Sequence, residues 1–146
     1  SDWRCPLECV EVGKGRLMHE GNDVAMLTIG PIGKVMENVV EEAGRRGVSV
    51  AHYDMRFLKP VDEDILSEVG RKFKYIVTLE DGVVKGGLGG AVAEYMATHG
   101  FAPKIVSLGI PDNFVEHGAP EELYRICGMD KESLLDAILD FKGNKQ

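Results

Sequence analysis

Two hydrophobic periods alternate along this chain. Val24-Ala25-Met26-Leu27-Thr28-Ile29 is a nearly unbroken apolar run closed by Gly30-Pro31, the pattern of a strand covered on both faces. Val35, Met36, Val39, Val40 and Ala43 then recur at helical spacing, and Arg45, Arg46 and Gly47 supply a helix C-terminus. Val48 to Tyr53 reads as a second strand. Asp62 is placed to cap the next helix, with Glu63 and Asp64 as negative charge in its first turn and Ile65, Leu66 and Val69 facing inward. Tyr75 to Leu79 predicts a third strand, Ala91, Val92, Tyr95 and Met96 an amphipathic helix, and Lys104 to Leu108 a fourth strand. Pro120-Glu121-Glu122 is a helix opening, and a last helix is expected from Asp130 with Leu134, Leu135, Ile138 and Leu139 inward.

Strands and helices that alternate with short joints favour parallel crossovers. The expected fold is therefore α/β, a three-layer open sandwich on a mostly parallel sheet, with four strands and at least four helices; the pattern leaves the strand order open. Residues 1–23, where Pro6, Gly13, Gly15 and Gly21 separate short apolar pieces, read as the end of a linker or a small hairpin. Residues 24–146 read as the domain itself.

Composition narrows the partners more than the fold. At 146 residues and 44% hydrophobic content the chain suits one domain with a sizeable core. Its formal charge of -7, spread along the sequence, disfavours nucleic acid as a partner, and Arg71-Lys72-Phe73-Lys74 reads as the solvated end of a helix. Cys5, Cys9 and Cys127 form neither a disulfide framework nor a C-x-x-C pair, and four scattered histidines offer no metal spacing, so a reducing, cytoplasmic setting is expected. No apolar run reaches the roughly 18 residues of a membrane span, and Ser1-Asp2-Trp3-Arg4 does not open like a signal peptide.

Candidate chemistry gathers after the strands. Gly86-Gly87-Leu88-Gly89-Gly90 opens a helix behind Glu80-Asp81-Gly82, and backbone N–H groups there can meet an anion. The Gly-Lys-Ser/Thr ending of a P-loop and the spacing of a dinucleotide fold are both lacking, so close packing or subunit contact is favoured over a ligand cradle. Glu80 and Asp81 stand at a strand's C-terminal end, where α/β sheets place ligands, yet adjacent residues point to opposite sides, and turn formation or capping is favoured over paired acid chemistry. Arg56, after the second strand, has the fork for a carboxylate or phosphate; if inward, its expected partner is Glu80 or Asp54. His52, in an apolar strand, reads as a satisfied structural histidine. His117 sits in a long loop without a serine or cysteine nucleophile elbow, and Phe114 suits an interface anchor.

In their order and spacing, Asp54-Met55-Arg56-Phe57-Leu58-Lys59-Pro60-Val61-Asp62, Val77-Thr78-Leu79-Glu80-Asp81, Gly86 to Gly90, and Leu108 to Gly118 resemble the C-terminal domain of the 1-deoxy-D-xylulose-5-phosphate synthases, within the transketolase family. The resemblance runs from about Glu11 to Phe141. It implies a small α/β domain with a mostly parallel sheet at the end of a longer enzyme. That enzyme uses thiamine diphosphate and Mg2+, held by upstream domains, to join pyruvate and glyceraldehyde 3-phosphate with loss of carbon dioxide. It also implies a homodimer in full length, with the upstream domains of the same chain as partners. No catalytic, cofactor or metal residue is expected in this chain, because the cofactor's Gly-Asp-Gly motif and activating glutamate segment are missing. Structural or interface roles fall to Arg56, Glu80, Asp81, Gly86, Gly87, Gly89, Asp112, Phe114 and His117. Gly90 stands where many relatives carry a small hydroxyl residue, which weakens phosphate binding further. Competing readings are the C-terminal domain of a 2-oxoacid dehydrogenase β subunit or of a transketolase, and a non-enzymatic protein-binding module.

Overall fold

The apolar run from Val24 becomes the middle of a sheet. In a computed structural model, which describes residues 13–29, 33–57, 60–80, 87–109 and 131–143, the strands are β1 (Arg16–His19), β2 (Val24–Ile29), β3 (Val50–Asp54), β4 (Tyr75–Glu80) and β5 (Lys104–Gly109). The helices are α1 (Gly33–Arg45), α2 (Glu63–Lys72), α3 (Gly87–Thr98) and α4 (Lys131–Gly143). Strand order is β1-β3-β2-β4-β5, with β1 antiparallel to β3 and every other pair parallel. Every residue of β2 and β4 is buried, as strands covered on both faces require.

The topology follows from the hand of parallel crossovers. The chain steps from β2 to β3 in one direction, then back over β2 to β4 and on to β5 in the other. Crossovers of a single hand therefore place α1 on one face and α2 and α3 on the opposite face. Two cores result. One packs Met36, Val39, Val40 and Ala43 of α1 and Leu134, Leu135 and Ile138 of α4 on Val24, Met26, Val50 and Val77. The other packs Leu66, Val69, Leu88, Val92 and Met96 of α2 and α3 on Ala25, Leu27, Ala51, Tyr53 and Ile76. Each buried leucine or valine contributes about 1.5–3 kcal/mol of transfer free energy. Tyr75 ties α4 down by donating its hydroxyl to the Ala137 carbonyl at 2.8 Å and by an edge contact with Phe141.

Capping behaves as the sequence implies at α2. The Asp62 carboxylate accepts from Asp64 N at 3.0 Å and Ile65 N at 3.2 Å, and its other oxygen accepts from Gly15 N at 3.0 Å. One side chain thus starts a helix and pins the lead-in. That lead-in differs from the expected linker end or hairpin: Arg16–His19 joins the sheet beside β3, not beside β2. All four residues of β1 are exposed, so no alternation of apolar and polar positions announces it. The helix expected at Pro120 lies outside the described residues.

Candidate functional site

Reversal of strand order between β2 and β4 creates a switch point, and ligands of open α/β sheets collect outside the strand carboxyl ends there. Glu80 ends β4 at that point, in register with Ile29 of β2. Its carboxylate is 2% exposed and accepts from the Leu88 N–H, in the first turn of α3, at 2.7 Å. A carboxylate at a helix N-terminus satisfies a free donor and meets the positive end of the helix dipole. Gly89 beside it serves close approach. A Cβ on buried Gly89 would collide with the Ser107 side chain of β5 and lie 3.4 Å from Thr78 Oγ1, itself fully buried and without a hydrogen-bond partner among the described residues.

These contacts leave the start of α3 poorly suited to a phosphate. The donor of Leu88 is already engaged by an anion, and Gly89 is pressed onto the sheet. Among the described residues, no three His, Cys, Asp or Glu side chains come together as a metal would need.

Arg56 follows β3 at the same edge of the sheet. It has φ 59°, alone among the described non-glycine residues in the left-handed region. Phe57 N donates to Met55 O at 2.5 Å across it, which makes a γ-turn of the strained kind. The expected ion pair with Glu80 or Asp54 does not form. Asp54 instead accepts from the Arg56 backbone N–H at 3.1 Å, while Glu80 is taken by Leu88. Asp54 Oδ1 fixes the backbone of the turn, and half-buried Arg56 makes no ion pair among the described residues.

His52 belongs to the opposite face. Its Nε2 lies 2.8 Å from Thr28 Oγ1, and burial pushes its pKa down to about 4, with nearby Asp54 opposing and His19 reinforcing the shift. It is a satisfied core histidine, as its apolar strand suggests. A contact the sequence reading missed joins Tyr53 to α2. The Tyr53 hydroxyl donates to Glu68 at 2.9 Å, which lowers the Glu68 pKa, while burial and then Glu68 raise that of Tyr53. The signal was available in principle, since Tyr53 shares a strand face with Ala51 beneath α2. Both residues line an open groove of about 370 Å³ together with Leu17, Asn22, Ser49 and Lys72.

The structure therefore brings Glu80, Gly87 and Gly89 together and leaves Arg56 outside that cluster. Asp81, Gly86, Asp112, Phe114 and His117 lie outside the described residues.

Comparison with known proteins follows the same lines. The family described as "Transketolase, C-terminal domain" matches residues 13–134. A 1-deoxy-D-xylulose-5-phosphate synthase from Bacteroides fragilis is 55% identical over 94% of this chain and 21% of its own length. The synthase of Bacteroides thetaiotaomicron is 52% identical over 94% of the chain and 22% of its length, and that of Hahella chejuensis 36% identical over 90% and 20%. The chain thus spans about a fifth of the length of these curated relatives. A solved structure described as an inactive β4 tetramer of a split-gene transketolase superposes with a TM-score of 0.80 at 29% identity, covering 94% of this chain and 45% of that one.

Proposed function

Because this chain belongs to the transketolase C-terminal domain family, we propose that it is the C-terminal structural and assembly domain of a thiamine-diphosphate-dependent 1-deoxy-D-xylulose-5-phosphate synthase. The full-length enzyme condenses pyruvate with glyceraldehyde 3-phosphate, with loss of carbon dioxide, and feeds isoprenoid and thiamine synthesis. Its upstream domains hold thiamine diphosphate and Mg2+, which supply the electron sink after decarboxylation. The part of the chain ahead of residue 13 carries the junction to those domains, and the working enzyme is a cytoplasmic homodimer. Within the described residues no helix is long and apolar enough to cross a membrane.

One observation supports an assembly role over a cofactor-binding one: the glycine-rich start of α3 is closed by the domain's own Glu80 carboxylate. Architectural use of Gly87 and Gly89 fits the same picture, and Arg56, Asp81, Gly86, Asp112, Phe114 and His117 are assigned to contacts rather than to chemistry. The similarity to named synthases does not favour a 2-oxoacid dehydrogenase β-subunit domain or a binding-only module.

The test is thiamine-dependent formation of 1-deoxy-D-xylulose 5-phosphate by the full-length protein and by this chain, with titration calorimetry of the cofactor against each. We expect activity and cofactor binding in full length alone. Cofactor binding by the chain alone would overturn the assembly role, and a folded full-length protein without synthase activity would overturn the assigned reaction.

A further inference from the structure

A non-glycine residue at positive φ is strained and persists where the surroundings hold it. At Arg56 the surroundings are two main-chain contacts, Asp54 Oδ1 on the Arg56 N–H and Met55 O on the Phe57 N–H. Neither needs an arginine side chain, and glycine adopts this backbone without strain. The turn's own geometry therefore gives no reason for a guanidinium at this position. Nor do the described residues of the domain: Asp54 and Glu80 each accept from a backbone N–H, and neither makes an ion pair with Arg56. Arg56 as a residue is half-buried, and its side chain makes no ion pair among the described residues.

We infer that the Arg56 guanidinium is a docking contact for a carboxylate carried by the part of the full-length protein outside this chain, an inference that rests on the assembly role proposed above. The ligand chemistry is an oxyanion, and a planar fork matches one carboxylate bidentately. A protein carboxylate is favoured over a free phosphate because about four-fifths of each curated relative's length lies outside the matching region. A tethered partner is presented at high effective concentration. The strained turn sits at the sheet edge beside the switch point and fixes the direction in which the fork leaves the domain.

The test uses Arg56→Gly and Arg56→Lys in the full-length protein and in this chain. For the chain alone, the urea midpoint of Arg56→Gly should equal or exceed that of the unsubstituted chain, because strain is relieved and no internal ion pair is lost. In full length, native-state proteolysis of the junction ahead of residue 13 should speed up by about tenfold in Arg56→Gly and by less in Arg56→Lys, as expected for loss of one charge-assisted pair. Equal cleavage of Arg56→Gly and unsubstituted full-length protein would overturn the docking contact, as would a lowered midpoint of the chain alone. Titration with inorganic phosphate separates the other source: phosphate binding to the chain that Arg56→Gly abolishes would replace the docking contact with a small-anion site. The proteolysis reads domain contact whatever reaction is catalysed, so absence of synthase activity would defeat the proposed reaction and leave this outcome to be judged separately.

Discussion

Two strand ends lie at the same edge of the sheet on either side of β2, that of β4 at Glu80 and that of β3 at Asp54. Each carries a charged residue that the sequence singles out, Glu80 for turn formation or capping and Arg56 for its fork toward a carboxylate or phosphate. At Glu80 the charge is consumed inside the domain: the carboxylate is buried and accepts from Leu88 N, and Gly89 lets α3 settle on Ser107. At Arg56 the domain uses only the backbone, holds it in a strained γ-turn, and makes no ion pair with the side chain among the described residues. Folding consumes the charge at Glu80 and, among the described residues, leaves that at Arg56 for the docking contact proposed above.

Acid titration has the largest expected effect and sets the background for comparing the turns. His52 has a folded pKa lowered from 6.5 to about 4, so the unfolded chain takes up its proton first as pH falls. The neutral histidine's contribution is complete above pH 6.5, declines as pH falls toward about 4, and is flat below. The loss reaches about 3 kcal/mol. A His52→Asn variant followed by urea unfolding from pH 7 to 4 should lose most of that slope. Comparisons of the two turns belong near pH 7, where His52 is silent.

Next in size is Glu80→Ala, which strands the buried Leu88 N–H and should lower stability by about 2–3 kcal/mol, with Glu80→Gln milder because an acceptor remains. Gly89→Ala should cost about 1–3 kcal/mol by overpacking against Ser107. A double-mutant cycle with Ser107→Gly would show coupling if the collision is the cause, and additivity would remove Gly89 from the Glu80 device. Asp62→Ala, which removes the cap of α2 and the tie to Gly15, should cost about 1–2 kcal/mol in the same assay. Arg56→Gly should be the smallest, between no change and a gain of about 1 kcal/mol.

What could be read in advance follows a physical divide. Strands β2 to β5, helices α1 to α3, the start of α4 within a residue and the Asp62 cap are local patterns, carried by burial period or by a side chain reaching donors two and three residues away. Strand β1 is different: its four residues are exposed, and it exists only through pairing with β3, more than thirty residues on. The Glu80 contact spans eight residues and depends on where α3 begins, so the sequence shows an acid and a glycine cluster without showing that one closes the other. Arg56 was singled out for its fork, but left-handed backbone in a non-glycine residue has no local signature. Its expected pairing with Glu80 or Asp54 is absent; each carboxylate accepts from a backbone donor instead.

The contrast between the turns is tested most directly by one titration: urea unfolding of this chain at pH 7 with Glu80→Ala and Arg56→Gly measured side by side against the unsubstituted sequence. We expect the Glu80→Ala midpoint to fall while that of Arg56→Gly stays level or rises. A comparable fall in both would mean that the domain consumes the Arg56 charge as it does that of Glu80, and would contradict the account.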